Sequence, residues 1–133
     1  MNYLIDTQIL IWYQLNTKKL SESILEMLVD TSNNIFVSQV TIFEIAIKQK
    51  IDKLPELDIS IEQLIALVQQ DGFEILPIKN SHIANYHQIP LLADHRDPFD
   101  RLILATALSE NIPVISADEK FKNYQSLVEL IAN

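Results

Sequence analysis

Tyr3–Trp12 reads YLIDTQILIW. Tyr3, Leu4 and Ile5 make a short apolar run, partly aromatic and β-branched, that fits a buried strand; from Ile9 to Leu15 the apolar residues continue at helical spacing. Asp6 stands at the junction. The same signals place further strands at Ile35–Val37, Phe73–Leu76, Val114–Ile115 and Leu127–Leu130. Helices are expected over Ile9–Leu15, Ser21–Val29, Val40–Ile51, Ile61–Gln70, Ser81–Tyr86 and Pro98–Ser109. Strands thus alternate with helices along the chain. That order predicts an α/β three-layer sandwich, with a central, mostly parallel five-stranded sheet flanked by helices through right-handed crossovers. With 133 residues the chain is expected to form one domain, residues 1–133. Ligands of such sheets gather beyond the carboxyl ends of the strands, where strand order reverses, so the residues that follow each strand carry the functional reading.

Composition narrows the chemistry. Hydrophobic residues are 48% and charged residues 21%, an ordinary globular balance. There is no cysteine, so any metal must be held by oxygen or imidazole. The one glycine, Gly72, excludes a glycine-rich phosphate loop. The opening MNYLIDTQIL lacks a basic leader and no apolar run has the length of a membrane span, so a cytoplasmic protein with no membrane partner is expected. A formal net charge of -8 argues against broad binding of nucleic acid through lysine and arginine. An acidic nuclease escapes that objection, because divalent ions invert the local field of a carboxylate cluster.

Five acids stand where such a cluster would form. Asp6 follows the first strand and Asp118 follows the fourth, in VISADEK. If those two strands flank the switch point, both side chains meet across one crevice, although each also suits a plain helix cap. In HRDPFDRLILATAL, Pro98 suits a first helical position, Asp97 its cap and Asp100 the third position. Capping alone and a paired presentation of two carboxylates to one ion account for that spacing equally well. Glu44 lies in VTIFEIAIK among apolar neighbours, an unusual setting for a solvent-facing acid; the alternative is an exposed pair with Lys48 one turn on. Converging acids repel one another and oppose folding unless a cation joins them, and hard divalent cations prefer such oxygen ligands.

YLIDTQILIW, VSQVTIFEIAIK with its following KLP, GFEILPI, HRDPFDRLILATA and ISADEKF occur in this order over essentially the whole chain. In this the sequence resembles the PIN-domain ribonucleases, specifically the VapC-type toxins of toxin-antitoxin pairs. The resemblance implies a PIN-like sandwich, RNA cleavage dependent on magnesium or manganese, products with 5′-phosphate and 3′-hydroxyl ends, and a cognate antitoxin. It also implies that Asp6, Glu44, Asp100 and Asp118 are the catalytic, metal-holding acids, with Asp97 as a companion ligand. Thr7 and Ser116 resemble the neighbours that hydrogen-bond such carboxylates. Gln8 and Phe43 depart from the residues that relatives often carry there, and leave the acids intact.

The remaining candidates divide between function and structure. Arg96, Arg101 and Lys48 are placed to contact phosphate or to form salt bridges with the acids. His82, His87 and His95 lack metal-ligand spacing, so surface or supporting roles are expected of them. Trp12 and Tyr13 suit core packing better than base stacking. The helix from Val40 to Ile51 and the first helix carry more apolar residues than one buried face needs, which predicts a homodimer or antitoxin contact. Two other functions fit the fold: phosphotransfer through an aspartyl-phosphate, and a non-catalytic binding module. The first lacks a second acid beside Asp6 and an acceptor after LPIK, and the second would be marked by a missing acid.

Overall fold

The computed structural model describes residues 1–133, with strands β1 (Asn2–Ile5), β2 (Asn34–Ser38), β3 (Glu74–Leu76), β4 (Val114–Ser116) and β5 (Leu130–Ala132). They form one sheet in the order β3-β2-β1-β4-β5, and every neighbouring pair is parallel. The helices are α1 (Thr7–Gln14), α2 (Glu22–Val29), α3 (Gln39–Lys50), α4 (Ile61–Gln70), α5 (Asn80–Asn85) and α6 (Pro98–Glu110), with 3₁₀ segments at Tyr86–Gln88 and Glu119–Tyr124. The chain is therefore the expected α/β sandwich.

Side-chain alternation along the strands builds a core on each face of the sheet. Tyr3, Ile5, Val37 and Ile115 join a cluster with α1, α2 and α4, whereas Leu4 and Val114 join another with α6. Leu4, Ile5, Leu104 and Ile115 are almost wholly buried, and each such side chain contributes about 1.5–3 kcal/mol on leaving water. Short polar caps fix where the helices start. Ser21, Ser38 and Ser60 each accept a backbone hydrogen bond at the mouth of a helix, and Ser60 closes a capping box with Gln63.

The last strand lies further along than its apolar run predicts. Residues 127 and 128 form a turn, their amides donating to the Tyr124 carbonyl, and pairing with β4 begins only at Leu130 opposite Val114. Val128 is apolar because it plugs the second core, not because it is a strand residue. The 3₁₀ segment before it was not expected; Phe121 and Tyr124, three residues apart, place their rings in the core from one face of it.

From β1 the sheet grows one way through β2 to β3, and α6 then carries the chain back across to β4 on the other side of β1. The order reverses between β1 and β4. Leu4 pairs with Val114 and Ile5 with Ile115, so the chain leaves both strands side by side at the same edge of the sheet.

Candidate active site

At that edge a cleft of about 300 Å³ is lined by Asp6, Thr7, Gln8, Trp12, Glu44, Lys48, Asp97, Asp100, Ala117 and Asp118. All five predicted acids line it. They come from four parts of the chain that only the fold brings together: the ends of β1 and β4, the middle of α3 and the first turn of α6.

Asp6 is only 4% exposed. One carboxylate oxygen accepts the Ile9 amide at 2.9 Å, capping α1, and the other accepts the Ser116 hydroxyl. The capping and the site-facing readings of Asp6 are thus both satisfied by one residue. Burial pushes its pKa up to about 6; the bonds from Ser116 and Ile9 oppose the rise, and the charge of Asp100 adds to it.

Glu44 is buried, and Thr7 donates to its Oε1 at 2.7 Å while Lys48 Nζ lies 3.3 Å from Oε2. Thr7 also shares a hydrogen bond of 3.1 Å with the Thr41 hydroxyl. The pair with Lys48 one turn on is therefore present, but on the wall of the cleft and not on a solvent face. Lys48 is the one cationic side chain among the lining residues.

Asp97 caps α6 by accepting the Phe99 amide at 2.9 Å, with Pro98 in the first turn. Asp100, one turn in, is also pushed up to about 6, chiefly by burial, with Asp97 and Glu44 repelling its charge and His95 opposing the rise. His95 Nε2 lies 3.1 Å from Asp100 Oδ2. Asp118 caps the second 3₁₀ segment through the Lys120 amide, and its own amide donates to the Ser116 hydroxyl at 3.0 Å. Ser116 thus ties Asp6 to the start of the Asp118 turn.

Thr7 and Ser116 donate hydrogen bonds to the carboxylates of Glu44 and Asp6. Arg96 is exposed and is not among the residues that line the cleft. Arg101 is a correction: it is 3% exposed and its guanidinium donates to the carbonyls of Ile89 and Pro90 and to the Tyr86 hydroxyl, while stacking 4.9 Å over the Tyr86 ring. A side chain so engaged is unavailable to a phosphate. It holds the loop before α6 instead. Of the histidines, His87 is exposed, whereas His82 is buried beside Glu110, its Nε2 3.4 Å from that carboxylate. His95 is the residue that sequence reasoning undervalued: it is buried and touches the acid cluster. Its only sequence signal is its place two residues before the Asp97 cap.

The donor set fits a hard divalent cation. It is almost wholly carboxylate, it includes two acids whose charge the fold opposes, and it carries one neighbouring cation against five acids. One ligand atom each from His95, Asp100 and Asp118 lies within 4.8 Å of the other two. A cation held by the carboxylates would relieve the repulsion that Asp97 and Glu44 add to the burial of Asp100.

The PIN-domain family model matches residues 3–127. No curated protein matches the chain. Among solved structures, a chain of VapBC2 from Rickettsia felis, bound to a DNA fragment from their promoter, is similar at TM-score 0.68 and 18% identity, over 99% of this chain and 98% of that one. DNA-bound VapBC from Salmonella typhimurium gives 0.67 and 19%, and VapBC-5 from Mycobacterium tuberculosis, of the VapBC family of toxin-antitoxin systems, 0.63 and 18%, each over 99% of this chain and 98% of the other. At these identities the likeness is one of fold. The sequence match runs from the first strand past the last acid of the cleft, and this chain belongs to the PIN-domain family.

Proposed function

We propose that the protein is an endoribonuclease that depends on magnesium or manganese, and that it acts as the toxin of a toxin-antitoxin pair. The observation that carries this reading is the convergence of Asp6, Glu44, Asp100 and Asp118, with Asp97, on one cleft at the switch point of the sheet. These acids would hold the ion. When bound, a divalent cation supplies positive charge to a phosphodiester and acidifies water. The chain's own groups do the rest. Ser116 and Thr7 aim the carboxylates of Asp6 and Glu44, and Lys48 and exposed Arg96 offer point charges to the RNA backbone. Hydrolysis adds water across the P–O3′ bond and leaves a 5′-phosphate and a 3′-hydroxyl.

An aspartyl-phosphate mechanism fits the site poorly. Asp6 is followed by Thr7, Gln8 and Ile9 with no second acid beside it in the sequence, and β3 ends in LPIK without an acceptor. Incubation with acetyl phosphate or with structured RNA, each with magnesium, separates the two. Defined cuts in RNA that EDTA abolishes support the nuclease; a phosphorylated protein in the intact mass supports the rival. RNA left whole and protein left unmodified would contradict both.

A cognate antitoxin is the proposed protein partner. Net charge -8 and an acid cluster countered by one lysine attract a basic side chain, which would occupy the cation's place. Beside the cleft, and sharing Trp12 with it, a groove of about 390 Å³ is lined by Tyr13, Leu20, Leu25 and Val29, apolar enough to seat a partner segment. Solved relatives of this fold are described as toxin-antitoxin systems. A homodimer is proposed through the other apolar surface, where Phe43 on α3 is 59% exposed beside Ile78 and Ile65. No helix is long and apolar enough to cross a membrane, and an RNA substrate goes with action in the cytoplasm.

A further inference from the structure

His95 is 3% exposed and packs against the rings of Phe121 and Tyr124, with centroids 5.8 Å and 5.4 Å away. Its two nitrogens face different partners: Nδ1 is 2.8 Å from the Tyr124 hydroxyl and Nε2 is 3.1 Å from Asp100 Oδ2. We propose that Tyr124 and His95 form a positioning relay that fixes the Asp100 carboxylate for cation binding. The proposal rests on the cation-binding reading of the cleft and adds two residues to it.

The direction of the relay follows from the chemistry of its ends. An ionised carboxylate only accepts hydrogen bonds, so Nε2 carries the imidazole proton. Nδ1 is then an acceptor, and the Tyr124 hydroxyl donates to it. Turning the ring over would set carbon against both partners and lose both bonds. The packed rings of Phe121 and Tyr124 hold the ring in place. Asp100 is left with Oδ2 engaged and Oδ1 free. Without the bond, repulsion from Asp97 and Glu44 favours a rotamer that swings this partly exposed acid away from the cluster.

The relay also joins the two segments that carry the acids. His95 lies just before the Asp97 cap of α6, and Tyr124 ends the 3₁₀ segment that Asp118 begins. A residue 29 positions away thereby sets the orientation of Asp100 and anchors the Asp118 segment. His82, equally buried, shows the contrast: it faces Glu110 at the far end of α6 and touches no acid of the cleft.

The first test is the tautomer of His95 in the metal-free protein, read from long-range proton–nitrogen NMR spectra. A protonated Nε2 with a bare Nδ1 is expected, mixing toward the other tautomer in Tyr124→Phe; a protonated Nδ1 in the wild type would overturn the relay. The second is manganese binding by calorimetry. His95→Ala should weaken binding about tenfold or more, as loss of groups that orient ligands does, and lower kcat more than it changes KM for RNA. His95→Gln keeps an N–H donor for Asp100 and should recover most of that loss. Wild-type affinity in His95→Ala, or no recovery in a folded His95→Gln, would overturn the relay alone. No manganese binding by the wild type would overturn both the relay and the cation site beneath it.

Discussion

The hydroxyl of Ser116, the last residue of β4, donates to the carboxylate of Asp6, the first residue after β1, across the place where the sheet reverses its order. Asp6 is buried next to other acids, and this bond is the largest single contribution that keeps its carboxylate ionisable. Ser116→Ala therefore raises the Asp6 pKa further above its present value of about 6. Manganese affinity at pH 7 is expected to fall about tenfold. Calorimetry at pH 7 and pH 8.5 checks the cause: the deficit should shrink at the higher pH, and an equal deficit at both would mean that orientation alone is affected.

Asp6 and Asp100 make the metal-free protein sensitive to pH in an unusual direction. Both have folded pKa values raised from 3.8 to about 6. The folded state binds protons more tightly than the unfolded one between these values, so stability is fully present below about pH 4 and is lost as pH rises through about 6. For Asp6 alone a shift of this size corresponds to at most on the order of 3 kcal/mol. Urea unfolding in EDTA should show higher stability at pH 5 than at pH 7.5, in high salt as well as low. With saturating magnesium the difference should diminish or reverse, since the ion then favours the ionised acids.

Thr7→Val keeps the shape of the side chain and removes the donor to Glu44 Oε1. Removing one partner of a hydrogen bond to a charged group costs about 1.5–3 kcal/mol, so a roughly tenfold or larger loss in kcat is expected with RNA binding little changed. Thr7→Ser restores the hydroxyl and most of the activity. Equal activity of the valine and serine variants would show that Glu44 needs no help from Thr7.

Arg96 and Arg101 should behave as opposites. Arg101→Ala leaves the Ile89 and Pro90 carbonyls without their donor and is expected to destabilise the fold by about 3 kcal/mol, seen in urea unfolding. Arg96→Ala, at an exposed position, should leave stability unchanged and raise KM for RNA, more at low salt than at high. A destabilised Arg96→Ala would contradict its exposed placement.

How much of this was legible in the sequence follows from what kind of signal each residue leaves. Asp6 and Asp118 were readable because each sits at a strand end followed by a helical turn, and the α/β alternation alone says where strand ends point. Glu44 was readable because its neighbours in VTIFEIAIK are nearly all apolar, an unusual setting for a solvent-facing acid, although Phe43 beside it is 59% exposed. Arg101 was not, because sequence places it next to Asp100, while on a helix consecutive residues point about 100° apart, and here that turn carries it to Tyr86 and the loop before α6. His95 was not, since its partner Tyr124 lies 29 residues away in a 3₁₀ segment without strong periodicity. The last strand was misplaced because Val128 is apolar for core filling while Leu127 sits exposed in the turn, and a short apolar run does not separate these from strand pairing.

The central claim is that these acids cut RNA by holding a divalent ion, and Asp100→Asn tests it most directly. Asparagine keeps the shape at the third position of α6 and removes the charge. Purified wild type and variant, matched by far-ultraviolet circular dichroism, are incubated with structured RNA and magnesium, and manganese affinity is measured on the same samples. The account predicts defined, EDTA-sensitive cuts by the wild type, and from the variant a loss of cleavage of at least a hundredfold together with weakened manganese binding. Cleavage by Asp100→Asn at the wild-type rate, or a wild type that cuts equally well in EDTA, would contradict it.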